Sequence, residues 1–164
     1  MRELRLALLV LALAGALTAC ATTDALPRAA RAQQNTAVVL AFLDTVFNKH
    51  EVEQAFKRYV GPSYRQHNPA VADGTAAAVR ALTQLTHELA PQLRLEVKRT
   101  IAQGDLVAVH SRYVSNPAAG GAAAAGGRGQ AVVDIFRLER GRIVEHWDVS
   151  QEIPDRAAND NSMF

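Results

Sequence analysis

Length, composition and charge indicate a single globular domain behind an N-terminal leader. The chain has 164 residues, of which 49% are hydrophobic, and a formal net charge of +2. A chain of this length can bury a core without disulfides. Without residues 1–19, which contain Arg2, Arg5 and Glu3, the 18 basic and 16 acidic side chains fall to 16 and 15. No basic stripe remains, so nucleic acid is not expected as a partner.

The first 19 residues have the pattern of an export signal. Arg2 and Arg5 precede a Leu/Ala-rich run over residues 6–17, which is short for a bilayer span. Small residues follow it, as expected near a cleavage site. Residues 1–19 are therefore predicted to be a signal peptide.

The only cysteine, Cys20, lies directly after this segment. The sequence LTAC that ends at Cys20 resembles the lipobox of bacterial lipoproteins, in which the thiol is acylated and becomes the mature N-terminus. Ordinary cleavage nearby is the alternative. We expect lipidation at Cys20, a flexible tether over residues 20–34 and a folded domain over 35–164. The protein would then face the periplasm or cell exterior, with the lipid as its only membrane contact.

Apolar residues at helical spacing predict three helices, over residues 36–48, 51–59 and about 75–90. Asn35 and Asp73 are the expected N-caps of the first and third. A short polar segment, SYRQHNP, lies between the second and third helices and includes Tyr64, Gln66, His67 and Asn68. Composition alone predicts a surface loop there.

Two strands that alternate in polarity follow the helices. With Gln103-Gly104 as the turn, Ile101 pairs with Leu106 and Val97 with His110. His110 and Arg112 then share the apolar face. Residues 115–130, SNPAAGGAAAAGGRGQ, are a low-complexity connection that we expect to be mobile.

The stretch 131–151 predicts a second hairpin that turns at Arg140-Gly141. The expected cross-strand pairs are Leu138 with Ile143, Phe136 with Glu145, Asp134 with Trp147 and Val132 with Val149. Alternation then places Asp134 on an apolar inner face, and Val133, Ile135, Val144, His146 and Asp148 on the outer face. A carboxylate in an apolar wall is either a paired structural group or an acid/base whose pKa is raised by burial. The element order indicates an α+β fold, with three helices on a curved antiparallel sheet.

Five motifs in this order resemble the SnoaL-like group of the nuclear transport factor 2-like superfamily, nearest to its predicted aldol condensation-catalysing branch. They are Tyr64–Pro69, Gly104–His110, Asp134–Arg137, Glu145–Asp148 and Asn159–Phe164. The resemblance covers residues 35–164. It implies a cone-shaped fold with a pocket between sheet and helices, and catalysis by an Asp with polar helpers and without a cofactor.

The resemblance also implies roles for particular residues. Asp134 is the acid/base candidate, His110 corresponds to the pocket histidine of the family, and His67 is a pocket-wall residue. These three are the expected catalytic residues, with His110, His67 or Tyr64 as hydrogen-bond donor to the developing enolate oxygen. The expected substrate-binding residues are Tyr64, Gln66, Asn68, Arg112 and Trp147. Relatives often carry a second histidine where this chain has Arg112, and pairing of Arg112 with Asp134 would lower the pKa of the carboxyl group.

Two functions are compatible with these features. The first is a cofactor-free enzyme of the aldol, isomerase or lyase type that acts on a small carbonyl compound. The second is a lipoprotein of the same fold that binds a small molecule without turnover. A metal site formed by His67, His110 and His146 is not expected, because alternation places His146 on the face away from Asp134. We also expect a homodimer through the outer face, where Val133, Ile135 and Val144 need cover.

Overall fold

The structure is a computed structural model that describes residues 27–114 and 128–164. Three helices lie near the start of the chain. Helix α1 (Arg28–Leu43) continues into a π-helical turn (Asp44–Asn48), and α2 (Val52–Tyr59) follows. Helix α3 (Thr75–Gln84) continues into a second π-helical turn (Leu85–Leu89).

Five strands form one sheet in the order β1-β5-β4-β3-β2. Strand β1 pairs with β5 in parallel, and the remaining neighbours are antiparallel. The α+β architecture with three helices on one sheet is therefore confirmed, although the sheet is mixed rather than wholly antiparallel. The strands are β1 (Val60–Gln66), β2 (Arg94–Gln103), β3 (Leu106–Val114), β4 (Gln130–Glu139) and β5 (Arg142–Glu152).

The core lies between the helices and the inner face of the sheet. Phe42 of α1 is at its centre, with its ring 5.4 Å from Phe56 of α2 and 5.9 Å from Phe136 of β4, both edge to face. Val107 and Val109 of β3 are fully buried beneath the same helices. Burial of these rings fixes the side of the sheet on which the helices pack, and so defines its inner face.

The prediction that Asn35 caps the first helix is wrong, because α1 already begins at Arg28. Asn35 lies within the helix, 3% exposed, and its Nδ2 donates to the carbonyl oxygen of Gly104 at 3.3 Å. The Ala, Arg and Gln residues over 28–34 are good helix formers. Residues 28–34 of the predicted tether are therefore helical. The predicted signal peptide, Cys20 and most of the 115–130 connection lie outside the described residues.

The predicted register of the β2–β3 hairpin is also wrong. Gln103, not Ile101, pairs with Leu106, and the turn is Gly104-Asp105, where Gly104 takes a φ of 64°. This displacement places His110 opposite Arg99, and an irregularity between Val97 and Arg99 then puts Leu95 opposite Tyr113, out of phase with His110. A one-residue change in register exchanges the faces of a strand. His110 and Arg112 therefore lie on the outer face.

In the β4–β5 hairpin the turn is as predicted, with Arg140 and Gly141 both at positive φ, and Leu138 pairs with Ile143. A bulge follows, because Arg137 pairs with Glu145. Val144 is the extra residue, and it is 4% exposed.

Beyond this bulge the predicted pairs are wrong by one residue. Phe136 pairs with His146, Asp134 with Asp148, and Ile135 with Trp147. His146 and Asp148 therefore join Asp134 on the inner face, and Trp147 moves to the outer face.

Candidate active site

A cavity of about 160 Å³ lies between the inner face of the sheet and the helices. Its wall on the side of α1 and α3 is apolar. Its opposite end carries a group of polar side chains from β1, β3, β4, β5 and the segment after β1. They are Tyr64, Gln66, Asn68, Tyr113, Asp134, His146 and Asp148.

Asp134 and His146 form the innermost pair of this polar end. The Nε2 atom of His146 lies 3.1 Å from Oδ1 of Asp134. Asp134 is 3% exposed, and its second oxygen, Oδ2, has no hydrogen-bond partner among the described residues. Loss of hydration raises the pKa of Asp134 above its usual range, although the hydrogen bond with His146 opposes this effect.

The proton positions of this pair follow from the surrounding hydrogen bonds. The backbone N–H of Asn68 donates to Oε1 of Gln66 at 2.9 Å, so that atom is an acceptor. Nδ1 of His146 lies 3.1 Å from the same oxygen and must donate to it. Nδ1 therefore carries a proton. The hydrogen bond between Nε2 and Asp134 then contains one further proton, held either as a carboxylic acid or as an imidazolium.

Asp148 is held as a carboxylate next to this pair. Nδ2 of Asn68 donates to both Asp148 oxygens, at 2.8 and 2.9 Å. Oδ1 of Asn68 accepts the backbone N–H of Ala70 at 2.8 Å, which fixes the orientation of the amide. The negative charge of Asp148 further raises the pKa of Asp134.

Two tyrosines complete the polar end as hydrogen-bond donors. The hydroxyl oxygen of Tyr64 accepts from Nε2 of Gln66 at 2.9 Å, so its own proton is available to a ligand. Burial raises the pKa of both Tyr64 and Tyr113, and the charges of Asp134 and Asp148 add to the effect. Tyr113 lies close enough to Asp134 to lower the pKa of that carboxyl group, although it makes no well-aligned hydrogen bond to Oδ2.

Two of the predicted site residues, His67 and Trp147, lie outside the cavity. Their rings stack at 4.6 Å on the outer face. Nε2 of His67 lies 2.8 Å from Glu145, which also accepts from Nε of Arg137 at 2.6 Å. The hydrogen bond from Arg137, and then that from His67, lowers the pKa of Glu145. The prediction that His67 and Trp147 line the cavity is therefore wrong.

His110 and Arg112 are also away from the cavity. The His110 ring lies 5.2 Å from the ring of Phe164 in the C-terminal tail. Nε and Nη2 of Arg112 donate to the carbonyl oxygen of Arg128, at 3.2 and 2.8 Å. In the part of the chain that the structure describes, Arg112 makes no ion pair with Asp134, so it does not neutralise the carboxyl group as the sequence suggested.

Of the residues proposed from the sequence, Asp134, Tyr64, Gln66 and Asn68 line the cavity. The cavity is also lined by His146, Asp148 and Tyr113, which the sequence analysis did not propose. A signal for the first two was present. The predicted register put Glu145 on the apolar face, whereas a bulge places it opposite Arg137, where the two charges pair.

Asp134, His146 and Asp148 also have the composition of a metal site. One ligand atom from each lies within 4.8 Å of the others. Nε2 of His146 already faces Oδ1 of Asp134, and both Asp148 oxygens already accept from Asn68. Metal binding and proton transfer would therefore compete for the same lone pairs. The trio considered from the sequence, His67, His110 and His146, is divided between the two faces of the sheet.

Residues 37–158 match the family model for SnoaL-like polyketide cyclases. The chain belongs to this family. No curated protein matches it. Within the described residues, no helix is long and apolar enough to cross a bilayer.

Solved structures share the fold. TsrD from Streptomyces laurentii is 22% identical with a TM-score of 0.56, over 76% of this chain and 90% of its own. An NTF2-like protein of unknown function from Mesorhizobium loti is 23% identical with a TM-score of 0.56, over 74% and 94%. AclR from Streptomyces galilaeus is 21% identical with a TM-score of 0.58, over 73% and 90%. These similarities establish the NTF2-like fold.

Proposed function

We propose that this protein is a cofactor-free acid/base enzyme that removes a proton next to the carbonyl group of a small substrate. The reaction would be of the aldol, isomerase or lyase type. The observation that carries this proposal is the buried Asp134–His146 pair, which holds one transferable proton at the polar end of an apolar cavity.

The raised pKa of Asp134 favours its role as the general base. A carboxylate whose pKa is closer to neutral is a stronger base, and general bases are most effective near the operating pH. In the proposed step the pair is in its imidazolium–carboxylate form, the C–H bond next to the carbonyl breaks, and its proton passes to Oδ2 of Asp134, the oxygen without a hydrogen-bond partner among the described residues. The electron pair moves onto the carbonyl oxygen as an enolate. That oxygen accepts a hydrogen bond from the hydroxyl of Tyr64 or Tyr113, both of which stay protonated.

A second function is binding without turnover. It is supported by the apolar wall of the cavity and by the hydrogen bonds that already join Asp134 to His146 and Asp148 to Asn68. The two functions differ in one respect. Only the enzyme needs the ionisable group of Asp134.

Hydrogen–deuterium exchange at carbon tests the proposal without knowledge of the natural substrate. Small ketones incubated with the protein in D₂O should exchange their α-hydrogens faster than without it, as followed by proton NMR. Asp134→Asn should reduce the enzyme-dependent rate at least ~100-fold. Glu139→Gln, an exposed carboxylate on the same strand, is the matched control and should leave the rate unchanged. Equal rates for Asp134→Asn and wild type would contradict the proposal.

We also propose a homodimer through the outer face of the sheet. Ile101, Ala108, Ile135 and Trp147 occupy aligned positions on four neighbouring strands. Ile101 is 69% exposed, and Val149 on the same face is 68% exposed. Apolar side chains grouped in this way are commonly covered by a partner. Attachment to the membrane through a lipid on Cys20 remains a further proposal, supported by the lipobox-like sequence.

A further inference from the structure

The size and charge of the cavity restrict the ligand that it can hold. We propose that the cavity binds a neutral carbonyl compound about the size of one substituted six-membered ring, and that it discriminates against carboxylates and against fused two-ring compounds. The carbonyl group in this inference rests on the proposed function, whereas the limits on size and charge rest on the cavity alone.

The limit on size follows from the volume. The cavity measures about 160 Å³. An apolar protein cavity of about 150 Å³ accommodates benzene. One ring with a short substituent therefore fills the space between the helices and the polar end. A second fused ring would have to displace side chains from a wall that includes Phe42, Leu82, Leu85 and Phe136, or lie outside the cavity in solvent, where it gains no burial.

The limit on charge follows from the polar end. The Asp134–His146 pair is neutral overall because it shares one proton, and the Asp148 carboxylate beside it adds one negative charge. No Lys or Arg lines the cavity within residues 27–114 and 128–164. Residues 115–127 contain neither residue type in their sequence. A carboxylate ligand would therefore lose its hydration at a polar end of net negative charge, with no Lys or Arg among the described lining residues to compensate.

The donors at the polar end match a carbonyl oxygen. The Tyr64 hydroxyl already accepts from Gln66, so its proton points to another acceptor. Tyr113 also stays protonated. A neutral ketone or aldehyde offers an acceptor oxygen at one end and an apolar body at the other, in the same arrangement as the cavity.

Dissociation constants of three probes, measured by isothermal titration calorimetry at pH 7, test the inference. They are acetophenone, benzoate as its charged counterpart, and 2-acetylnaphthalene as its two-ring counterpart. Acetophenone should bind at least ~10-fold more tightly than either of the others. Asp148→Asn should narrow the difference between acetophenone and benzoate. Equal or tighter binding of benzoate or of 2-acetylnaphthalene, or binding of none of the three, would overturn the inference.

Substitutions that fill the cavity test whether the ligand binds there. Leu82→Trp should weaken acetophenone binding at least ~10-fold, whereas Leu89→Trp, at an exposed position in the π-helical turn after α3, should not change it. Ala81→Leu adds less volume to the same wall and serves if the Trp variant does not fold. Unchanged binding in the folded variants would place the ligand elsewhere and overturn the inference.

Failure of this inference and failure of the proposed function can be told apart. Selective binding of acetophenone without exchange of its methyl hydrogens would support the inference and contradict the proposed enzyme. Asp134-dependent exchange on an anionic or two-ring substrate would support the proposed enzyme and contradict the limits on charge and size.

Discussion

His146 and Asp134 lie on neighbouring strands, 3.1 Å apart from Nε2 to Oδ1, and share one proton at the polar end of the cavity. The backbone N–H of Asn68 determines this arrangement through Gln66, because it makes Oε1 of Gln66 an acceptor for Nδ1 of His146. The segment after β1 thereby sets the protonation of two residues that are more than 60 positions away in the sequence.

The first prediction concerns stability as a function of pH. The pKa of Asp134 is raised above its ordinary value of 3.8, mainly by burial. The folded state therefore binds this proton more tightly than the unfolded state, and the stabilisation is fully present below pH 3.8 and lost as pH rises through the raised pKa. Asp134→Asn removes this titration. Its free energy of unfolding should be measured by urea denaturation between pH 4 and 8. The difference between the variant and wild type should shift in favour of the variant as pH rises. Parallel pH profiles would contradict the raised pKa.

The second prediction concerns Gln66. Gln66→Met keeps the size of the side chain but removes the acceptor for Nδ1 of His146 and for the backbone N–H of Asn68. Loss of these hydrogen bonds should cost about 1–3 kcal/mol in the free energy of unfolding. Gln103→Met, at an exposed position at the end of β2, is the control and should change stability by less than ~0.5 kcal/mol. Similar melting curves for the two variants would show that the Gln66 network is not maintained in solution.

A third prediction tests the outer face. Wild type at micromolar concentration should have the mass of a dimer by light scattering, and Ile101→Lys combined with Val149→Lys should reduce it to a monomer because two charges enter the apolar surface. Ser150→Lys introduces the same charge on the opposite side of β5 and should leave the dimer intact. A monomeric wild type would rule out the proposed assembly.

The fourth prediction concerns Cys20. Mass spectrometry of the protein extracted from membranes of a bacterial host should show a lipid-modified Cys20 as the first residue. Cys20→Ala should release the protein into the soluble fraction, because a lipid is the only proposed attachment. A mature N-terminus at another residue, without lipid, would contradict this proposal.

Much of the fold could be predicted from the sequence because its signals are local. Helical spacing of apolar residues located the three helices, and Arg140-Gly141 located the turn between β4 and β5. The start of α1 was missed because Ala, Arg and Gln are compatible with both a helix and a tether. Only contact with the sheet, such as that of Asn35 with Gly104, decides between them.

The site was predicted less completely, because its composition depends on register. Asp134 was placed correctly on the inner face, but one bulged residue, Val144, exchanges the faces of His146 and Trp147. In the β2–β3 hairpin, a turn displaced by one residue and a bulge in β2 had the same effect on His110. The alternation of polar and apolar residues along a strand does not indicate where a single extra residue is inserted. The clue was electrostatic, since the charges of Arg137 and Glu145 are paired only in the bulged register.

The nitrogen NMR spectrum of His146 tests the central claim, a single shared proton between this residue and Asp134, most directly. In protein labelled with ¹⁵N at histidine, and with His146→Gln used for assignment, Nδ1 should remain protonated across pH 5 to 8. The Nε2 resonance should change when Asp134→Asn removes the shared proton. A His146 ring protonated only at Nε2, with an unprotonated Nδ1, would contradict the account, because Gln66 would then not be its hydrogen-bond acceptor and the Asp134–His146 pair would carry a net negative charge.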